Sequence, residues 1–445
     1  MKRTISQINE KIKKNKVFVM RADEFCRLVE KEGVKEAYRK VDVVTTGTFG
    51  AMCSSGVWLN FGHSNPPIKM IRVFLNNVEV YTGVAAVDGY IGATQMSLDR
   101  GIEYGGAHVI QDLLEGKEVV LRAVGYGSDC YPRKRIVTRI RLEDLNFALL
   151  QNPRNAYQRY NAATNGSNRI IYTYMGKLLP RFGNVTFSGS GELSPLQKDP
   201  QYQTIGIGTR IFLGGAIGYI TGAGTQHNPE NGLGTLMVQG DLKKMSTEFI
   251  RAATFTGYGS TLYVGVGLAI PLLSEEIAVN AARSDRDIET TIIDYGSSRL
   301  PRRVVRDVTY SELKSGSIEI EGKNVPTAPL SSLKKAERIA DVLKDWIYSG
   351  KFLLSEPVER LPSRSSLKPL VVKRSEVVKK KEPTISISKS SIEKGLCIEC
   401  GQCLGICPKG VFYQREWSIV ADFSRCNGCL LCSDICPTRA IRIKV

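Results

Sequence analysis

A large glycine-rich α/β or α+β domain followed by a small cysteine-rich one is the fold class this sequence predicts, and three observations carry it. The chain has 445 residues, 42% of them apolar, enough to bury two or three separate cores. Its first 325 residues alternate helical and strand periodicities with frequent glycine, most densely over 204–267, where Gly, aromatic and β-branched residues dominate. Its end carries two runs, CIECGQCLGICP (397–408) and CNGCLLCSDICP (426–437), both spaced C-x2-C-x2-C-x3-C-P. That is the pattern of a bacterial-type 2[4Fe–4S] ferredoxin domain.

In chain order, 22–40 has helical periodicity with Phe25, Cys26 and Val29 on one side. Residues 41–50 read as a buried strand running into a turn. Residues 69–83 read as a hairpin around Asn76 and Asn77, and 119–127 as a strand entering a glycine loop. The texture of 204–267 suits strands and close backbone approach. Residues 331–348 predict an amphipathic helix with Leu333, Ile339, Val342, Leu343, Trp346 and Ile347 on its apolar side. The expected organisation is a large domain over 1–325, a helical extension over 326–360, a basic linker over 361–394 and the ferredoxin-like domain over 395–445.

The formal net charge is +17. The linker contributes disproportionately, with nine basic and three acidic residues. No basic heptad, zinc finger or Arg/Gly tail accompanies it, which argues against specific nucleic-acid binding. No run approaches the roughly 18 apolar residues of a membrane span, and the basic N-terminus lacks the apolar core of a signal peptide. Eleven cysteines, eight of them in cluster spacing, indicate a reducing cytoplasm rather than disulfides. A homo-oligomer is left open.

In each cysteine run the x2 gaps let three thiolates reach one cluster, while the fourth, after x3, points towards the other cluster. Cys397, Cys400, Cys403 and Cys436 are therefore the expected ligands of one [4Fe–4S] cluster, and Cys426, Cys429, Cys432 and Cys407 those of the second. Two complete runs 29 residues apart argue for a duplicated half-ferredoxin over a zinc site. Two clusters point to electron transfer, with a sulfur relay or a structural prop as alternatives.

Three thiols lie outside the runs. Cys26, on the apolar stripe of a helix, reads as core. Cys53 lies where a buried strand opens into TTGTFGAMCSSGVWLNFGHSNPP (45–67), a stretch whose hydroxyls and backbone N–H groups could hold an anionic or carbonyl ligand. Cys130, in AVGYGSDCYPRKR (123–135), follows a glycine loop. Arg133, Lys134 and Arg135 would favour its thiolate and Asp129 would oppose it. Cys130 is the first candidate nucleophile, with Cys53 the second. Among the three histidines, His63 and His227 sit in polar glycine-rich loops suited to acid–base work, whereas His108 reads as structural. No GK[ST] ending or full dinucleotide fingerprint is present.

The segments DVVTTGTFGAMCSSGVWLNFGHSNPPIKM (42–70), DGYIGATQ (88–95), YGGAHVIQDLLEGKEV (104–119), GYGSDCYPRK (125–134) and GIGTRIFLGG (206–215) resemble the homocysteine-biosynthesis proteins, also called L-aspartate semialdehyde sulfurtransferases. The likeness covers most of 1–325. It implies a catalytic large domain that incorporates reduced sulfur into a four-carbon aldehyde, with two characteristic thiols that correspond to Cys53 and Cys130, the latter the stronger candidate sulfur carrier. Many such proteins carry paired regulatory nucleotide-binding domains and draw on a separate ferredoxin subunit. Here a ferredoxin module is fused instead, as in the similar methanogenesis marker 16 group.

The resemblance thus implies an aldehyde substrate, a sulfide or persulfide donor and an external electron donor. Sulfur would add to the aldehyde and water would leave. Two electrons, delivered through the clusters, would complete homocysteine. His63 or His227 would move protons, and Arg133 or glycine-loop N–H groups would hold the substrate carboxylate. The alternatives are sulfur insertion into another metabolite or a methanogenesis cofactor precursor, and a non-catalytic ferredoxin-bearing scaffold.

Overall fold

The helix expected over 22–40 forms in two pieces, α1 (Ala22–Glu32) and a short helix Val34–Lys40. Gly33 divides them at φ +82°, a positive φ that glycine, lacking a Cβ, adopts without strain. The strand expected over 41–50 likewise divides, into Val43–Thr45 and β1 (Thr48–Ala51). The break falls at Gly47, where a Cβ would lie 2.1 Å from the Ala336 carbonyl oxygen. Neither break follows from apolar periodicity, because a neighbouring backbone imposes one and a positive-φ glycine the other.

This computed structural model describes residues 2–155, 159–297, 300–365, 367–368, 370–371, 390–416 and 418–443. After β1, a turn holding Cys53 leads into β2 (Gly56–Asn60). β3 (Arg72–Leu75) and Val78–Val80 form the expected hairpin. Asn76 and Asn77 both take positive φ, +48° and +64°, as two-residue hairpin turns require. α2 (Gly106–Leu114) is followed by β4 (Val119–Val124), a loop holding Cys130, and the returning strand β5 (Arg135–Ile140).

β6 (Phe147–Asn155) enters a nine-stranded sheet that also takes in β2 and four strands between 210 and 255. The sheet includes β7 (Gly259–Gly267), which pairs antiparallel with β1. β3, β4 and β5 belong to a second, six-stranded sheet. A third, also six-stranded, mixes parallel and antiparallel pairs and is built from strands between 162 and 329. The large domain is therefore mixed α/β.

α3 (Leu333–Tyr348) buries Ala336, Ile339, Ala340, Leu343 and Ile347, and its apolar stripe packs with Phe49, Phe212 and Phe249. Ser332 caps its start by accepting from the Lys335 N–H, one of the donors a helix N-terminus leaves open. The strand Lys323–Pro329 runs across the expected boundary at 325. Most of the expected linker lies outside the described residues. The residues just before it, Glu359–Arg360, pair with Gly206–Ile207 of the large domain.

The ferredoxin-like domain shows its duplication in three dimensions. Short helices Gln402–Ile406 and Leu431–Ile435 lie within the two runs, and two small antiparallel pairs complete it. Its core is little more than Cys403, Val411, Phe412, Cys432 and Ile441, too few apolar groups to hold so small a unit alone. Among the described residues no helix is long and apolar enough to cross a membrane.

Candidate active site

Cys53 occupies the tight turn between β1 and β2. The fully buried Asn152 of β6 pins that turn: its amide nitrogen donates to Ser55 Oγ at 2.8 Å, and its carbonyl accepts from Ser54 Oγ at 3.1 Å. Cys53 Sγ lies 3.2 Å from Thr261 Oγ1 on β7. The thiol opens into a cavity of about 670 Å³ bounded by residues of the nine-stranded sheet, the third sheet and the start of α3. A volume of that order holds a drug-sized ligand.

Among the described residues the cavity wall contains Arg154, Arg159 and Arg302 and no Asp or Glu. None of the three guanidiniums is paired with a carboxylate among the described residues. Arg154 donates to Gln226 Oε1, Arg159 donates to Thr291 Oγ1 at 3.0 Å, and Arg302 stacks 4.3 Å above the Tyr295 ring. Uncompensated cations in an enclosed site favour an anionic guest, above all a carboxylate or phosphate that can take bidentate hydrogen bonds. Five tyrosines, 160, 174, 258, 295 and 310, complete the wall. Tyr174 and Tyr295 share a hydroxyl–hydroxyl bond of 2.7 Å. Burial, followed by the neighbouring Cys53, pushes the Tyr258 phenol up, so it stays a neutral donor.

Cys130 stands elsewhere. It is exposed on the loop 125–134, closed at its base by the Gly125 N–H to the Lys134 carbonyl. Arg133 is turned from the thiol to staple this loop down, donating to the Pro66 and Asn65 carbonyls at 3.0 and 2.6 Å. His63 stacks on Tyr131, ring centroids 6.0 Å apart. The structure therefore brings His63 to the Cys130 loop and away from Cys53. His63 follows the end of β2 while Cys53 precedes its start, and five extended residues span roughly 17 Å.

His227 is buried and outside the cavity wall. Its Nδ1 accepts from the Thr235 N–H at 3.0 Å, which leaves Nε2 to donate to the Pro362 carbonyl at 2.9 Å. Both nitrogens are engaged by backbone. Cys26 is buried beside Lys198, whose Nζ is 3.1 Å from its sulfur. His108 caps α2, its Nδ1 accepting from the Gly105 N–H.

Sequence reasoning missed the cavity arginines and tyrosines. They are scattered from 154 to 310 and meet only when two sheets face each other. The one local signal was the arginine- and tyrosine-rich stretch PRNAYQRY (153–160).

The cysteine runs interleave. Cys397, Cys400, Cys403 and Cys436 line one pocket together with Ile392, Ile398 and Ile441. Cys432 feels the charges of Cys407, Cys426 and Cys429. Burial, then neighbouring thiolates, pushes Cys403 up to about 12 and Cys432 up to about 11. Thiolates crowded into an apolar pocket need cationic iron to persist as anions. Backbone N–H groups of Val411, Gly428 and Ala440 already donate to Cys407, Cys426 and Cys436, the kind of bond that stabilises cluster sulfurs. An all-thiolate donor set of this kind fits an iron–sulfur cluster.

Residues 17–354 match the family described as homocysteine biosynthesis enzyme, sulfur-incorporation. The chain belongs to that family. Residues 396–440 match the 4Fe-4S dicluster domain. The chain is similar to the L-aspartate semialdehyde sulfurtransferase of Methanosarcina acetivorans, 59% identical over 83% of this chain and 74% of that protein. It is also similar to the L-aspartate semialdehyde sulfurtransferase of Methanocaldococcus jannaschii, 57% identical over 83% of this chain and 75% of that one. Its end is similar to a ferredoxin of Methanothermococcus thermolithotrophicus, 43% identical over 10% of this chain and 78% of the ferredoxin. No solved structure matches the chain.

Proposed function

We propose that the chain is a reductive sulfurtransferase that converts L-aspartate semialdehyde and sulfide into homocysteine. One observation carries this reading: a thiol, Cys53, opens into a cavity lined by three arginines, with no carboxylate among the described residues of its wall. The overall reaction balances as aldehyde plus hydrogen sulfide plus two electrons and two protons, giving thiol plus water.

Arg154, Arg159 and Arg302 hold the substrate carboxylate and place its aldehyde carbon towards Cys53. Tyr258 and Thr261, beside the thiol, orient the aldehyde oxygen and help it leave as water. The cavity wall limits, on its closed side, loss of the sulfur adduct to solvent. Cys130, exposed on its loop, takes sulfur by exchange from a persulfide donor, whose thiol leaves, and His63 serves protons there; this route takes two further electrons to release the sulfur as sulfide. His227 is given no proton-transfer role, because the backbone engages both of its nitrogens. Cys397, Cys400, Cys403 and Cys436 would hold one [4Fe–4S] cluster, and Cys426, Cys429, Cys432 and Cys407 the other. Such clusters supply electrons one at a time from an external low-potential donor. Eleven unpaired cysteines fit a reducing cytoplasm.

Cavity size favours a second reading, since a four-carbon aldehyde fills only part of about 670 Å³. A larger anionic acceptor, such as a cofactor precursor, would use more of it. An anaerobic assay of the cluster-loaded chain with sulfide, reductant and L-aspartate semialdehyde separates the two. Homocysteine detected by mass spectrometry, and lost in Cys53→Ser, supports the first reading. No homocysteine from intact, cluster-loaded protein rejects that substrate.

A further inference from the structure

The two cysteine runs share a spacing, yet they solve one backbone problem in opposite ways. Each passes through two left-handed residues. In the first run these are Glu399 at φ +56° and Gly401 at φ +71°; in the second they are Gly428 at φ +69° and Leu430 at φ +63°. Such φ values favour glycine. The second run places glycine at the first of the two positions. The first run instead puts a glutamate there and saves its glycine for the second.

Both choices in the first run face the large domain. A Cβ on residue 401 would lie 2.5 Å from Arg72 Nη1, and that guanidinium donates to the Cys400 carbonyl. The Glu399 carboxylate pairs with Arg135 at 3.0 Å, with the acid only 19% exposed. Leu430, at the position matching Gly401, is 38% exposed.

Arg72 and Arg135 form a matched set. Val124 on β4 is the register partner of Arg72 on β3 and also of Arg135 on β5. Residues directly opposite across a ladder share a face, so both cations project from one row at the end of the sheet. Glu79 holds Arg72 from its other side at 2.8 Å. The loop 125–134 begins and ends at this same row. Cys130, five residues before Arg135, lies within roughly 18 Å of chain from it. Cys53 lies beyond the far end of β2.

We propose that Arg72 and Arg135 are a two-point seat that docks the first cysteine run beside the Cys130 loop, making this loop a place where electrons leave the ferredoxin module to release sulfide from the sulfur held there. The inference rests on the reading of Cys130 as sulfur carrier. The electron acceptor is the sulfur–sulfur bond of a Cys130 persulfide. Two electrons and two protons cleave it to the Cys130 thiol and hydrogen sulfide, the electrons entering the module from a low-potential one-electron donor and the protons coming from solvent. A gap of about 350 Å³ beside the seat, lined by Arg72, Thr82, Gln402 and Ile406 among others, leaves the docking thinly packed and dependent on its charged contacts. Salt should weaken it.

The test uses the full cluster-loaded chain with Cys130 converted to a mixed disulfide by thionitrobenzoate. A photoreduced deazaflavin reduces the module, and acid quench with mass spectrometry follows disulfide cleavage against a cluster-free background. Arg135→Glu, which leaves the module's own sequence intact, should slow cleavage at least tenfold. Glu399→Arg should do the same, and the double exchange should recover most of the rate. Raising ionic strength should slow the unmodified protein. Arg72→Gln should lower the reduction potential of one cluster's EPR signal and leave the other in place. Equal rates in the single variants, or no recovery in the double exchange, overturn the seat. Faster cleavage of a disulfide on Cys53 than on Cys130 overturns the exit point. Homocysteine is not among the readouts, so an inactive enzyme whose variants behave as stated discredits only the sulfurtransferase reading.

Discussion

Cys53 sits on a tight turn pinned through Asn152 and faced by Thr261, whereas Cys130 sits on a ten-residue loop, 125–134, secured mainly at its ends. The first thiol meets only what enters a cationic cavity. The second is exposed to solvent, on a loop whose last residue adjoins Arg135, the partner of Glu399. Geometry of the first kind suits bond formation, because a fixed nucleophile and a clamped substrate have already given up their rotational freedom. Geometry of the second kind suits exchange with donors of any size. One thiol type is thus offered two kinds of chemistry by its platform.

The largest effect that could break this comparison comes from removing each sulfur in turn. Cys53→Ser should lower homocysteine formation by about three orders of magnitude or more, as losses of a group that contacts the reacting atoms do. Excess free sulfide should not restore it. Cys130→Ser should lose comparable activity with a protein persulfide donor yet recover partly at high sulfide, because sulfide bypasses the carrier. If sulfide rescues both variants or neither, the division of labour is wrong.

Next comes the cavity charge. Arg159→Gln and Arg302→Gln should each raise KM about 10–100-fold, the equivalent of a charged hydrogen bond of roughly 1.5–3 kcal/mol. Neither should change the rate at which iodoacetamide labels Cys130. Unaltered KM in both variants would remove these arginines from substrate binding. Labelling itself sharpens the contrast further. Cys130 should react about tenfold faster than Cys53, and an anionic aldehyde analogue should protect Cys53 alone.

How much of this was legible in the sequence depends on the range over which each signal is written. The cysteine runs are local, and their interleaving follows from the direction in which a fourth ligand must point. The Asn76–Asn77 hairpin and the apolar stripe of α3 are local too. The division of 41–50 is not, since Gly47 yields to the backbone of α3, 289 residues away at Ala336. The same holds for the site. Arg133 looked like the cation that would tune Cys130, being three residues from it. Its guanidinium instead satisfies two carbonyls at 65–66, a demand that no local window contains. Arg302 and Arg159 carry no spacing at all with respect to Cys53. His227, polar in its sequence setting, is buried by a segment that arrives from 362.

The smallest expected effect concerns pH, and it too should fall on one side of the comparison. His108 is half-buried, and burial, then Arg100, holds its imidazole below the usual histidine range against the pull of Asp112. Its Nδ1 accepts from the Gly105 N–H at 3.1 Å and lies 3.3 Å from Ser260 Oγ. Ser260 adjoins Thr261, the contact of Cys53 on β7. A proton on Nδ1 would face the Gly105 donor and break this support. Because the folded pKa lies below the unfolded value, the unfolded chain takes up the proton first as pH falls. The contribution is complete above about pH 6.5 and is lost as pH drops through the lowered folded pKa. Between pH 7.5 and 5.5 the native chain should therefore lose somewhat more stability than His108→Gln, by less than about 1 kcal/mol for a partly exposed group, read as the urea midpoint. Over the same range, hydrogen exchange should quicken at residues 259–263, beside Cys53, and not around Cys130. Identical pH slopes in the two proteins, or exchange rising equally on the 125–134 loop, would separate His108 from the support of Cys53.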